Sequence, residues 1–108
     1  MGTLYKTLGQ LNPSATTLTT LYTVPSATQA VCSTLSICNV GVSTTFRVAI
    51  RVAGASIDPK QYIVYEMTIN QYDSVFLTLG ISLGTADVVS VYAGTANLAF
   101  NLFGTEIS

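Results

Sequence analysis

The sequence predicts an all-β domain: an antiparallel β-sandwich or barrel, jelly-roll-like, with seven to eight strands and an extended N-terminal arm. A ten-residue repeat of Gly-Thr pairs begins at Gly84, Gly94 and Gly104, and each interval holds one strand's length of mostly apolar residues. Apolar and polar residues alternate over residues 45–52, the pattern of a half-buried strand. Turn residues recur about every 8–12 positions, without a convincing helical period between them. This spacing does not separate a jelly roll from an Ig-like sandwich or a closed barrel.

The alternation and the turns predict the strands in order. They cover residues 19–24, 30–40, 45–52, 61–69, 74–79, 88–93 and 98–103. In the strand at 61–69 both faces are partly apolar, so this strand is expected to be covered on both sides. One face carries Ile63, Tyr65, Met67 and Ile69, and the other carries Tyr62, Val64, Glu66 and Thr68.

The last three strands are predicted to form a β-meander, in which each strand pairs with the next. The segments Gly84 to Asp87 and Gly94 to Asn97 are typical of hairpin turns. Gly supplies a positive φ without steric cost, and Asp and Asn tolerate it. We expect the earlier strands to fold onto this meander.

The two cysteines, Cys32 and Cys38, are expected to be free thiols. On one strand their Cα atoms would lie about 20 Å apart, whereas a disulfide needs less than about 7 Å. The residues of this strand predicted to face the core are Val31, Ser33, Leu35, Ile37 and Asn39, with both cysteines on the other side. Free thiols suit a reducing cytosol, and an intermolecular bridge is the alternative.

Residues 1–18 are predicted to form an arm that precedes a single β-domain at residues 19–108. Leu4, Leu8 and Leu11 have helical spacing, but glycines and Pro13 interrupt the segment and favour an extended chain. The arm is either a frayed terminus or a strap laid over a neighbouring subunit. The leucines favour the strap, so we expect Leu4, Tyr5, Leu8 and Leu11 to contact a partner, and the β-domain to fold without residues 1–12.

Charged residues make up 8 % of the chain, against about 25 % in a typical soluble domain. Residues 7–46 carry no charge, and the net charge is −1. This balance provides no basic surface for nucleic acid. The chain also has no run of about 18 apolar residues, so the sequence predicts no membrane partner. Either the 16 Thr and 10 Ser residues keep the surface hydrated, or partners cover much of it. We favour partners and expect an obligate oligomer, a homotrimer.

Arg47 and Arg51 are predicted to share one strand face, about 13 Å apart. They are either solvated, with a cross-strand ion pair to an acid such as Glu66, or they dock onto an acidic partner. Both alternatives stay open from the sequence, and both arginines are candidate interface residues.

From the sequence we expect that the protein is not an enzyme and that it has no cofactor, no metal site and no catalytic residue. It contains no His, the commonest general base and metal ligand. The two cysteines lack a partner pair at zinc spacing. Glu66 and Asp73 are the plausible carboxylate pair, but two acids near a turn are usually solvated.

Several segments resemble small virion structural proteins of tailed bacteriophages. They are Leu8 to Gln10, Leu21 to Pro25, Thr44 to Ile50, Leu79 to Tyr92 and Phe100 to Ile107. The likeness consists of turns and strand faces and includes no active-site signature, so no functional residue carries over.

This resemblance implies a non-enzymatic structural protein of the virion, assembled in the host cytoplasm. The expected role is that of a capsid cement or decoration subunit, which binds copies of itself and the major capsid protein or other virion proteins. The alternative is a neck, tail or fibre module that binds another virion protein or a host-surface ligand such as a glycan. Tyr62, Tyr72 and Asp73 are the candidates for contacting a glycan.

Overall fold

A computed structural model describes residues 2–108 and consists of eight β-strands. The strands are β1 (Thr3–Leu11), β2 (Thr19–Thr23), β3 (Gln29–Asn39), β4 (Thr44–Arg51), β5 (Tyr62–Ile69), β6 (Ser74–Leu83), β7 (Val88–Ala93) and β8 (Leu98–Ile107). Two short 3-10 turns, Val52–Gly54 and Pro59–Gln61, lie between β4 and β5. Among the described residues, no helix has the length and apolar character needed to cross a bilayer. The prediction of an all-β domain of seven to eight strands is confirmed.

The strands form two four-stranded antiparallel sheets, packed as a β-sandwich. Sheet I has the order β1-β8-β3-β6, and sheet II has the order β2-β7-β4-β5. The pairing is nested: the first strand pairs with the last, the second with the seventh, the third with the sixth and the fourth with the fifth. Among the described strands, β4 and β5 are the only consecutive pair that are also neighbours in a sheet.

The predicted β-meander is therefore wrong. The segment from Gly84 to Asp87 crosses from β6 in sheet I to β7 in sheet II, and the segment from Gly94 to Asn97 crosses back to β8. The local turn chemistry is present, since the Asp87 N–H donates to the Gly84 carbonyl at 3.1 Å and the Asp87 carboxylate accepts from the Gly84 N–H at 2.9 Å. A turn reverses the chain but does not decide which strand becomes its neighbour. Gly104 lies inside β8.

The core lies between the two sheets. Phe46 of sheet II and Phe100 of sheet I are both fully buried, and their rings pack edge to face with centroids 6.2 Å apart. Other fully buried large residues are Leu35, Ile37, Ile69, Leu98, Leu102, Val24, Val48, Val89 and Val91. Full burial of such a side chain stabilises the fold by roughly 1.5–3 kcal/mol.

A β-bulge in β3 corrects the predicted faces of that strand. Cys32 pairs with Gly104 and Thr34 with Phe103, so Ser33 has no partner on β8. A bulge adds one residue and reverses the alternation beyond it. Leu35, Ile37 and Asn39 face the core as predicted, but Cys32 does so instead of Val31 and Ser33.

Both cysteines are free. Burial raises the pKa of the Cys32 thiol to about 11, so this thiol stays protonated near neutral pH. Cys38 lies half-buried near the end of the same strand.

The expected N-terminal arm is largely a strand of the sandwich. Residues Thr3 to Leu11 pair with β8, and Leu8 and Leu11 pack against the core. The Asn12 side chain then donates to the carbonyls of Ala96 and Leu98 at 2.9 and 2.7 Å. The segment that we expected to lie over a neighbouring subunit thus adds a strand to its own sheet, so residues 3–11 are not separate from the β-domain. Met1 of the expected arm lies outside the described residues.

A buried tyrosine links the two sheets at one end of the sandwich. The Tyr22 hydroxyl of β2 donates to Glu106 of β8 at 2.6 Å, and Lys6 of β1 lies 3.4 Å from the same carboxylate. The hydrogen bond from Tyr22, with help from Lys6, lowers the pKa of Glu106. Burial, and then the bond to Glu106, raise the pKa of Tyr22.

Replacing Tyr22 by Phe is expected to lower the free energy of unfolding at pH 7 by about 1.5–3 kcal/mol, the usual contribution of a hydrogen bond to a charged group. A lowered carboxyl pKa stabilises the fold above the ordinary Glu value of about 4.3, and this contribution is lost as the pH falls through the folded-state pKa. The difference between wild type and Y22F should therefore shrink between pH 5 and pH 3, as measured by urea unfolding. Tyr72→Phe, the same change at an exposed loop tyrosine, is the control. An equal loss at pH 3 and pH 7 would contradict this role for Glu106.

Candidate interaction surfaces

Among the residues that the structure describes, none with a charged side chain lies on the outer face of sheet I. The sheet register places these residues on it, and we call them the neutral face: Tyr5, Thr7, Gln10, Val31, Thr34, Ser36, Cys38, Ser74, Phe76, Thr78, Ser82, Ala99, Asn101, Phe103 and Thr105. Three aromatic residues stand out among the small polar ones. Tyr5 is 81 % exposed, Phe76 71 % and Phe103 37 %. Phe76 and Tyr5 lie on the two edge strands, with Phe103 on β8 between them.

Strand β6 is the least protected edge of the sandwich. Edge strands commonly avoid pairing with other chains by being short, by carrying charges or Pro, or by bulging. β1 carries Lys6 and a bulge, β5 carries Glu66 and register shifts, and β2 is only 5 residues long. β6 spans 10 residues with no charge and no Pro, although its register against β3 also shifts beside Gly80, which adopts a φ of +63°. Its outer backbone groups are therefore open to another strand.

Arg47 is bound within the chain, on the outer face of sheet II. Its Nε donates to Glu66 Oε2 at 2.8 Å, and its guanidinium carbon lies 4.5 Å from the ring centre of Tyr65 and 4.1 Å from that of Tyr92. The hydrogen bond raises the pKa of Arg47 and lowers that of Glu66. Of the alternatives open from the sequence, the cross-strand pair with Glu66 is present.

Arg51 is also used internally, although it lies on the same strand as Arg47. Its Nε donates to the Ala55 carbonyl at 2.8 Å and its Nη2 to the Gly54 carbonyl at 3.1 Å, while Nη1 lies 3.4 Å from the Ser90 hydroxyl. Arg51 thus fastens the start of the β4–β5 connection to the outer face of sheet II.

The expectation that β5 is covered on both sides is wrong, because most of this strand is exposed and a bulge turns part of it outwards. Phe46 pairs with Met67 and Val48 with Val64, so β5 has an extra residue between these pairs. Glu66 lies there with a φ of +53°. Val64 packs against the core, whereas Ile63 and Tyr65 are exposed.

The β4–β5 connection and the first half of β5 line a cavity of about 560 Å³ that is open to solvent. Its lining consists of Ile57, Asp58, Pro59, Tyr62 and Tyr65. The Tyr62 and Tyr65 rings meet edge to face, with centroids 4.9 Å apart and planes at 75°. This volume falls within the range of about 300–1,000 Å³ that small-molecule sites occupy.

Hydrogen bonds fix the wall of this cavity. Asp58 Oδ1 accepts from the Lys60 N–H at 3.1 Å, and the Asp58 N–H donates to Gln61 Oε1 at 2.9 Å. Gln61 is buried and also donates to the Ser56 carbonyl at 3.0 Å. This reciprocal capping box holds the short 3-10 turn that carries Pro59.

The other candidate residues are dispersed. Leu4 and Tyr5 are exposed on β1, while Leu8 and Leu11 are partly buried against the core. Tyr72 and Asp73 lie in the β5–β6 turn, where Asp73 Oδ1 accepts from the Ser74 N–H at 2.8 Å. Of the three residues proposed for a glycan, Tyr62 alone lines the cavity.

Sequence reasoning missed the neutral face and the role of Tyr65. The absence of charge over residues 74–83 was visible in the sequence, but it points to an exposed edge only once the strand order is known. The exposure of Tyr65 had no such signal, since it depends on the bulge at Glu66.

Comparison with models of known protein families gives no match, and none of the curated protein sequences matches the chain. Within residues 2–108, no three His, Cys, Asp or Glu side chains lie close enough together to hold a metal ion.

Proposed function

We propose that this protein is a non-enzymatic structural subunit of a tailed-phage virion, a capsid cement or decoration protein that stabilises the shell through shared surfaces. The nested strand order supports this proposal. We interpret β1-β8-β3-β6 against β2-β7-β4-β5 as a jelly roll, in which an eight-stranded hairpin is rolled into two Greek keys. Jelly rolls occur in viral capsid and lectin domains. The fold alone does not carry the function, because one architecture serves many.

The observation that carries the proposal is the neutral face. A sheet face left to water typically presents polar and charged side chains, but this one presents small hydroxyl and amide groups around Tyr5, Phe76 and Phe103. Each Å² of apolar surface that a partner covers contributes about 25 cal/mol. Covering the neutral face buries no charge, so association incurs little of the desolvation cost of ionic groups.

The open edge of β6 favours a head-to-tail geometry for this contact. A strand edge that docks onto a different surface of the next copy forms a head-to-tail contact, which closes into a ring when the rotation between copies allows it. We therefore propose a homotrimer in which β6 and the neutral face lie at subunit contacts. An obligate contact of this kind buries on the order of 2,000 Å² or more in total.

Changing Phe76 to Lys tests this contact. Phe76 is exposed in the single chain, so the change should leave folding nearly unaffected, whereas a buried unpaired ammonium at an interface costs several kcal/mol. We expect the wild type at micromolar concentration to sediment as a trimer without an 11.4 kDa monomer, and F76K to sediment mainly as monomer.

Val52→Lys is the matched control, since Val52 is 66 % exposed but lies just after β4, beyond sheet I. V52K should remain trimeric. The attachment itself is tested by co-sedimentation with phage heads that lack the subunit, where wild type and V52K should bind and F76K should not. A wild-type chain that stays a soluble monomer would overturn the proposal.

A second candidate function is that of a neck, tail or fibre module that binds a host-surface ligand. The cavity beside Tyr62 and Tyr65 favours it, because its volume and its aromatic walls are those of a small-molecule site. Separating virions into head and tail fractions and detecting the chain in one of them distinguishes the two locations.

A further inference from the structure

We propose that the cavity lined by Ile57, Asp58, Pro59, Tyr62 and Tyr65 is a binding site for a neutral saccharide. The inference goes beyond the cementing role and deepens the second candidate function by naming its ligand class. It rests on that second function and does not depend on the subunit contact proposed for sheet I.

The walls of the cavity fit a sugar ring. A pyranose presents C–H groups on its faces and hydroxyl groups at its rim. Tyr65 is 60 % exposed and, with Ile57 and Pro59, supplies apolar surface for the C–H groups. The Asp58 carboxylate accepts backbone N–H groups of the 3-10 turn, and the remaining lone pairs of its two oxygens can accept hydrogen bonds from ring hydroxyls.

The charges around the cavity disfavour ionic ligands. Asp58 repels an anion, and the guanidinium of Arg47 is already neutralised by Glu66 at 2.8 Å. Arg47 already occupies one face of the Tyr65 ring, 4.5 Å from its centre, so a cationic ligand has only the opposite face open to it. A wholly apolar ligand would strip water from the Asp58 carboxylate without replacing its hydrogen bonds. A neutral, hydroxyl-rich ring satisfies all three constraints.

The site is held in place before any ligand arrives. Arg47 lies between Tyr65 and Tyr92 and fixes the Tyr65 ring from behind. Glu66, which orients Arg47, has a φ of +53°, and within residues 2–108 it is the one non-glycine residue with positive φ that lies inside a strand. Such backbone conformations cost energy and cluster at binding sites, where the surrounding structure maintains them. Arg47 and Glu66 are positioning residues for Tyr65.

The test uses the full-length protein and the methyl glycosides of glucose, galactose, mannose and N-acetylglucosamine. Binding is followed by saturation-transfer NMR and by titration of the backbone amide signals. We expect at least one glycoside to give saturable shifts at residues 57–65. Tyr65→Ala should weaken this binding by about tenfold or more, as truncation of an aromatic anchor does at other interfaces.

Two conservative variants separate the two parts of the site. Tyr65→Phe keeps the ring and should retain binding within about threefold, whereas Asp58→Asn keeps the cap but loses the charge and should weaken the sugar contact by about tenfold. Tyr72→Ala, at an exposed tyrosine in another loop, should leave sugar binding unchanged.

The site and the assembly are tested by different variants. Tyr65→Ala should leave the sedimentation of the trimer unchanged, and Phe76→Lys should leave sugar binding unchanged. The site and the proposed assembly can therefore fail separately.

Three results would overturn the site. The first is the absence of saturable shifts with all four glycosides. The second is binding that persists in the Tyr65→Ala variant. The third is binding of choline in place of the sugars, which would assign the two tyrosines to a cationic ligand.

Discussion

Deleting residues 1–12 is expected to unfold the domain. The deletion removes β1, which pairs with β8 from Thr3 to Leu11 and packs Leu8 and Leu11 against the core. Each lost backbone hydrogen bond costs about 0.5–1.5 kcal/mol net, and each leucine adds up to about 1.5–3 kcal/mol. Together these losses are comparable with the whole stability of a typical domain, about 5–15 kcal/mol. The truncated chain should therefore show neither a native circular dichroism spectrum nor a cooperative urea transition.

Deleting residues 1–2 alone is the control, because it keeps all of β1. A peptide of residues 1–12, added to the truncated chain, should restore the native spectrum by adding a strand beside β8. A folded truncated chain with altered assembly would instead support the arm that the sequence predicted.

The arm was mispredicted because its strand signal is irregular. The register between β1 and β8 shifts between Thr7 and Gly9, so Leu8 has no partner. This extra residue breaks the two-residue period and leaves leucines at a spacing that suggests a helix. β1 forms because β8 provides an edge along its whole length. Because β8 lies at the other end of the sequence, the residues of β1 alone do not predict this pairing.

Strand positions followed from local sequence, whereas strand neighbours did not. The segment Thr44–Arg51 was recognisable because Phe46 and Val48 alternate with polar residues. The segment from Gly84 to Asp87 has the residues of a tight turn, yet it joins strands of different sheets. Pairings such as β1 with β8 depend on the packing of the whole sandwich, so turn residues do not reveal them.

Of the candidate sites, one could be predicted from the sequence and one could not. The Arg47–Glu66 pair was predictable, since two charges on facing strands of a nearly uncharged chain have few other partners. The cavity was not, because it requires Tyr65 to turn outwards at a bulge and the segment from Ile57 to Pro59 to fold beside it. Bulges such as those at Ser33 and Glu66 have no residue signature of their own.

Replacing Phe100 by Ala is expected to be the most damaging single substitution in the core. Phe100 is fully buried, and its ring is the sheet I half of the edge-to-face contact with Phe46 of sheet II. Removing it leaves a cavity between the sheets and costs about 3–5 kcal/mol. For a domain of this size, a loss of 3 kcal/mol lowers Tm by roughly 12 °C or more.

Phe103→Ala is the matched control, because Phe103 lies on the same strand but points away from the core onto the neutral face. Unfolding in urea must be compared at a fixed protein concentration, since association adds to the apparent stability. In dilute solution F103A should lose much less stability than F100A. At high concentration F103A should lose more than at low concentration, because the covered aromatic contributes only in the assembled protein. Equal losses at every concentration would mean that Phe103 packs within the subunit, and that the outer face of sheet I is not a subunit contact.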